Sequence, residues 1–253
     1  MYRITIIIIA SILAATCTKH GKEGVSDNDM REYELYDYYV DQYGNEGIVA
    51  AKYDYRDGDS FLKFTIVLSL DETITTWGPM GSIVYDVNDS FNEDYPWGNM
   101  FGLEMNRRVE TFGKEKFPAF EWCMAKNRNE KHIHSSSWML PACGELGYDI
   151  FQEGNALDML NEKIVAYGGT PITTADGESP RYYWTCVEDI KDVFVFADEQ
   201  VQAQSDYDPA RRAIPVTSDG RYPSQKRYWT KDNEYRVRAI KYIYFACSPV
   251  KAN

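Results

Sequence analysis

Residues 61–70 alternate along the chain: Leu62, Phe64, Ile66, Leu68 and Leu70 fall on one side and Lys63, Thr65 and Ser69 on the other. Successive side chains of an extended chain point to opposite faces, so this pattern predicts a strand with one face in a core and one toward solvent. Shorter strand patterns precede it at 36–40 and 48–53, set off by the turn-forming runs Gly-Asn-Glu-Gly at 44–47 and Arg-Asp-Gly-Asp at 56–59. The spacing of apolar positions then changes. Phe117, Phe120 and Met124 recur at three and four residues, with Pro118 near the start, which predicts a helix over 117–127. A second helix is predicted over 155–169, with Asn155 as N-cap, Leu157, Leu160, Ile164 and Val165 as the buried stripe, and Gly168 just past the end. Strand patterns return at 182–187, 193–197 and 235–245. Together these elements predict an α+β fold of largely antiparallel strands with two packed helices.

Two polar stretches interrupt the pattern. Residues 77–100 are rich in Gly, Asp and Asn and hold no sustained period, so they are expected to form a long irregular loop. Asp86, Asn88, Asp89, Asn92, Glu93 and Asp94 within it suit either a hard cation or an ordinary solvated acidic loop, and their spacing matches no EF-hand. Residues 198–234 are punctuated by Pro209, Pro215, Gly220 and Pro223. Ordinary connections run to roughly 12–15 residues, and longer ones are usually functional or disordered. This one concentrates Tyr207, Arg211, Arg212, Tyr222, Tyr228 and Trp229 on an acidic chain, with Arg221 and Arg227 beside them. Such groups stack on sugars or bind carboxylates, and equally well pin a loop to its domain. The six named first are the candidate contacts for a glycan or protein ligand.

The ends carry a different signal. Residues 1–16 hold Arg3 and an apolar run from Ile4 to Ala15, too short to span a bilayer permanently and fitting an export signal. Cys17 follows it directly and is the candidate lipidated residue, with ordinary cleavage near Ala14 and Ala15 as the alternative. The expected layout is a signal peptide at 1–16, a tether at 17–32, one domain at 33–247 and a tail at 248–253. It places the chain as an outer-membrane lipoprotein, held to the membrane through its lipid anchor, with the periplasmic or surface face open. A net charge of −12 disfavours nonspecific binding to nucleic acid and anionic lipid.

Candidate chemistry is sparse. Cys123, Cys143, Cys186 and Cys247 could pair in three ways in an oxidising envelope or stay as buried thiols, and none lies in a C-x-x-C pair. His132 and His134 would share a face on a strand, yet the remaining histidine, His20, lies in the tether, so no zinc site is assembled. Carboxylates are too abundant to single out a catalytic pair. Nothing here calls for a cofactor.

The most distinctive run is Ser-Ser-Trp-Met-Leu-Pro-Ala-Cys-Gly-Glu-Leu at 136–146. Trp138 and Leu140 fall on one face of a short extended segment, Leu140 is held extended by the proline after it, Pro141 suits a helix start, and Glu145 lies near the positive helix end. With Phe-Pro-Ala-x-x-Trp-Cys at 117–123, Tyr-Trp-Thr-Cys-Val-Glu at 183–188 and Val-Arg-Ala-Ile at 237–240, it resembles a bacterial domain family with a C-type-lectin-like fold. This is the Lcl-like or "major paralogous" domain type, distantly similar to the sulfatase-modifying fold, and the resemblance spans about 36–244. It implies a C-type-lectin-like topology in an envelope or secreted protein, structural roles for Trp138, Leu140, Pro141, Glu145, Tyr183 and Trp184, and a preference for pairing Cys123 with Cys247. The calcium-and-sugar triplets of sugar-binding members are missing, since Thr185 and Cys186 follow Trp184. Cys186 resembles a serine position of the family and gains no catalytic role from it. The expected function is a non-catalytic binding or adhesion module; the alternatives are an enzyme of the sulfatase-modifying or glycan-acting kind and a structural envelope or pilus-associated component.

Overall fold

The structure is a computed structural model that describes residues 32–57, 60–84, 100–128, 130–151, 156–173, 182–188, 211–218 and 229–247. Its longest pairing joins β2 (Glu46–Asp57) to β3 (Ser60–Ser69), antiparallel from Gly47 opposite Ser69 to Asp57 opposite Ser60, with one irregularity between Val49 and Ala51. β1 (Tyr38–Val40) adds to β2 and β8 (Ile240–Cys247) to β3, giving the sheet order β1-β2-β3-β8. A second sheet has the order β4-β7-β5-β6, built from β4 (Thr73–Thr75), β5 (Tyr182–Glu188), β6 (Ala213–Thr217) and β7 (Tyr235–Val237). Its β5–β7 contact at Tyr183 and Arg236 is parallel and the other pairings are antiparallel. The helices are α1 (Met100–Phe112), α2 (Pro118–Met124), a π-helix at Gly144–Ile150, and α3 (Ala156–Ala166). The class is therefore α+β, as the hydrophobic pattern predicts.

One cluster of buried residues draws on both sheets and all of these helices. Trp77, Trp138 and Trp184 lie wholly inside it. Each indole N–H has an acceptor: Thr185 O at 2.8 Å, Asp41 Oδ2 at 2.7 Å and Thr75 O at 3.1 Å, respectively. A buried tryptophan needs such a partner, and with it each ring removes on the order of 200 Å² from water, about 5 kcal/mol as an upper estimate.

Local signals explain the helix ends. Pro118 opens α2 where its missing N–H costs nothing. Gly168, at φ 77°, closes α3: its N–H reaches Val165 O at 2.9 Å, and that of Gly169 reaches Ile164 O at 2.8 Å. Val165 is corrected from core to surface, being 56% exposed, because the buried arc of α3 is set by Leu160 and Ile164.

Other expectations are corrected too. The polar side expected for β3 is covered: Thr65, Val67 and Ser69 are as buried as Ile66 and Leu68. The single strand expected at 235–245 is two, because the chain passes from one sheet to the other at Arg238 and Ala239. The loop expected at 198–234 contains β6, every residue of which is buried. Helix α1 emerges from what had looked like the end of an irregular loop. Among the described residues no helix is long and apolar enough to cross a membrane. The predicted strand at 193–197, the acidic cluster at 86–94, Asn155, the signal segment and Cys17 lie outside the described residues.

Candidate functional site

Residues 138–140 run extended through the interior and borrow their hydrogen-bonding partners from three places. Trp138 donates its N–H to Asn127 Oδ1 at 2.7 Å and accepts from Asn127 Nδ2 at 2.8 Å. Leu140 does the same with Asn106, at 3.0 and 2.8 Å. Met139, facing the other way, exchanges both backbone bonds with Ile240 at 2.9 and 3.0 Å. Two buried side-chain amides thus stand in for a neighbouring strand, one at the end of the α2 region and one inside α1. Buried backbone groups require such partners. The sequence reading missed Asn106 and Asn127; their only signal is an amide placed where an apolar helix face would continue.

Asp41 anchors the same segment from the β1–β2 turn. It accepts from Trp138 Nε1, from Asn45 Nδ2 at 2.7 Å, and from the backbone N–H of Tyr43 and Asn45 at 2.8 and 2.9 Å. Burial alone would raise its pKa, but these donors outweigh burial and hold the carboxyl below its ordinary value.

Past Pro141 the chain enters the π-helix. Glu145 Oε2 accepts the Ala142 N–H at 2.6 Å, the helix-start role expected of it. Its Oε1 has no hydrogen-bond partner among the described residues, and the residue is fully buried. Burial pushes its pKa well up, against the single bond from Ala142, and nearby Asp149 pushes the same way. The Cys186 N–H bonds Pro141 O at 2.7 Å, and the Cys186 thiol is raised by burial and then by Glu145 and Cys143. Cys123, Cys143 and Cys186 are buried thiols. The expected pairing of Cys123 with Cys247 involves a side chain, that of Cys247, outside the described residues.

Two buried charge clusters tie the sheets and loops together. Glu72 is held by Arg236 and Arg238, with side-chain exposures of 3%, 12% and 0%. Arg238 also donates to the carbonyls of Ser69, Leu70 and Thr170. Tyr183 OH donates to Glu72 at 3.2 Å and accepts from the Thr173 N–H at 3.0 Å; burial and Glu72 push its pKa up to about 12. In the second cluster Lys231 Nζ meets Glu188 at 2.5 Å with both side chains fully buried. The ammonium also donates to Ser82 O at 2.7 Å and lies 4.3 Å from the Trp77 ring centroid, while Glu188 accepts the Val84 N–H. These groups are spent on holding residues 77–84 to β5 and the two sheets to each other.

The loop at 130–137 brings Ser137, His134 and Glu130 together, but not as a nucleophile and its base. Ser137 Oγ donates to Glu130 at 2.5 Å and accepts the His134 N–H at 3.0 Å. The His134 ring takes the Ser136 N–H on Nδ1 at 3.2 Å and faces Glu130 through Nε2, also at 3.2 Å. His132, across the buried Ile133, lies 3.6 Å from Glu110.

The predicted ligand contacts separate. Arg211 is exposed, Arg212 is half-buried and bridges to Thr230, and Trp229 is 5% exposed, corrected from surface contact to core. Tyr207, Tyr222 and Tyr228 lie outside the described residues. An aromatic surface unforeseen in the sequence is formed by Tyr167, 48% exposed and stacked on Tyr38 at 4.3 Å, with Tyr38 OH donating to Glu46.

No family model matches the chain, and no curated protein matches it. Among solved structures it is similar to the crystal structure of a fimbrial protein from Bacteroides ovatus, with a TM-score of 0.51 and 15% identity over 83% of this chain. The chain spans about half of that protein, 48% of its length. At this identity the likeness is one of fold: the chain shares the architecture of a fimbrial protein.

Proposed function

We propose that this chain is an exported cell-envelope component that works by binding or assembly, with no catalysis of its own, anchored in the outer membrane through Cys17 and engaging a glycan or protein ligand. The observation that carries this reading is the fold shared with a fimbrial protein over 83% of the chain. It is supported by the use made of the interior polar groups, since Glu72, Arg238, Glu188, Lys231 and Asp41 are committed to the scaffold. Function on such a scaffold belongs to its surface loops and exposed aromatics. This reading assigns recognition, among the described residues, to the exposed Arg211 and the stacked Tyr38–Tyr167 pair. The C-type-lectin-like description of 33–247 belongs to this proposal and rests on the Trp138–Leu146 run and Tyr183–Trp184. A pilus-associated structural role is the second reading, favoured by the same fold likeness.

The test combines fractionation with binding. Wild-type chain is expected in the membrane fraction carrying an acyl label, and Cys17→Ser in the soluble fraction without it; retention of both by the variant refutes anchoring. On glycan and protein arrays, a bound ligand whose retention drops at least about tenfold with Arg211→Ala and Tyr167→Ala supports recognition. Recovery of the chain in sheared surface fibres, with no array ligand, moves the assignment to a structural subunit.

A further inference from the structure

The acid at the centre of the Trp138–Leu146 run has no use in the binding reading. Glu145 is fully buried, one carboxyl oxygen carries a single backbone bond, and the other carries none. It packs against the first turn of α1 so closely that a Cβ on Gly102 would lie 2.7 Å from Oε2 and 3.2 Å from Oε1. The groups that act on it electrostatically are Asp149 on its own π-helix and the Cys186 thiol on β5, the latter influenced also by Cys143 and by Cys123 from α2. None of these supplies a positive charge. With no counter-ion among the described residues, an ionised carboxylate in this position would be an uncompensated buried charge, a situation that proteins relieve by protonation or by opening.

We propose that Glu145 is a proton-operated latch: protonated, it seats the π-helix against α1 and β5, and on losing its proton it drives the 141–151 segment out of the interior. A π-helix suits this role, since its wider turns are an uncommon, locally adjustable form that recurs at functional sites. The Phe151 N–H to Leu146 O bond at 3.0 Å is one of its long-step bonds. Opening exposes Cys143, Leu146 and Ile150, each now at most 2% exposed. Because burial raises the carboxyl in the closed state, closure is fully favoured below the unfolded value of about 4.3 and weakens as pH rises toward the closed-state value. Across that window the open population grows about tenfold per pH unit.

Cys143 reports the opening. The full chain and Glu145→Gln are exposed to a maleimide from pH 5.5 to 7.5, and labelling at each cysteine is mapped by mass spectrometry. Thiol ionisation speeds both proteins equally, so it cancels in their ratio. The wild-type to Gln ratio at Cys143 is expected to rise with pH, by up to about tenfold per unit, while Cys123 stays protected. A constant ratio overturns the latch. So does a rise at Cys123 in step with Cys143, which means whole-molecule unfolding. Should Glu145→Gln not fold, the ratio of Cys143 to Cys123 labelling in wild type over the same range decides: a rise supports the latch and a flat ratio refutes it.

Discussion

Glu72 Oε2 accepts the Arg238 Nη2–H at 2.8 Å, and the fully buried Arg238 stands at the point where the chain leaves one sheet for the other. The guanidinium simultaneously satisfies the carbonyls of Ser69, Leu70 and Thr170, so the carboxylate fixes a group that closes three chain segments. Removing one member of a buried pair leaves the other charged and unpaired, a loss of roughly 3–5 kcal/mol. Glu72→Ala is expected to lose that much in urea unfolding, and Glu72→Gln, which retains an acceptor, distinctly less.

Lys231 and Glu188 allow a cleaner separation of pairing from burial. Lys231→Met removes the ammonium that faces the buried Glu188 carboxylate and is expected to cost about 3–5 kcal/mol. Adding Glu188→Gln, which keeps an acceptor for the Val84 N–H, should recover a large part of the loss. A double-mutant cycle measures this coupling, and additive single effects would show that the ion pair holds nothing beyond its shape.

Asp41 sets an acid limit. Its carboxyl is held below the ordinary value, so its contribution is present above an unfolded value of about 3.9 and is lost as pH falls through the folded one. Asp41→Asn is expected to be about 1–2 kcal/mol less stable at neutral pH, with the charge gone from the Trp138 bond. The two proteins should converge in stability as the solution is acidified below about pH 4. Denaturation followed by tryptophan fluorescence at several pH values checks both statements.

The amides that replace a strand beside residues 138–140 make a further test. Asn106→Ala and Asn127→Ala each orphan one buried N–H and one C=O, and each is expected to cost about 2–4 kcal/mol. Asn→Leu at either position should not restore the loss, because the missing element is a donor–acceptor pair and not volume.

What the sequence made legible follows from how local the cause is. Pro118, Gly168 and the Leu160–Ile164 spacing act within a turn or two, and α2 and α3 lie where they predict. The break at Arg238 was invisible because Val-Arg-Ala-Ile continues a good strand pattern; Ser69, Leu70, Glu72 and Thr170, all far away in the chain, make a buried arginine there favourable. β6 hid in the same way. Its Pro215 marks a turn by local rules, yet it pairs opposite Trp184 at the sheet's edge, where a missing N–H is tolerated. Helix α1 was obscured by Gly102 and Asn106, both kept for contacts with residues 140–145 and not for helix formation. At the candidate site, Glu145 was correctly placed as a helix-start acid, but its lack of a counter-ion among the described residues is a property of three elements meeting.

The sheet crossing also governs when the chain can fold. β7 lies inside its sheet, between β4 and β5, and β8 is the partner of β3, with Leu68 opposite Ile240 about 170 residues away. Both come from residues 235–247, so neither sheet is complete until that stretch has been synthesised. Such distant pairings must close very long loops before any contact rewards them, which makes folding slow and late. Until residues 235–247 are made, β3 lacks its β8 partner and β4 its β7 partner, so both sheets stay open at those edges.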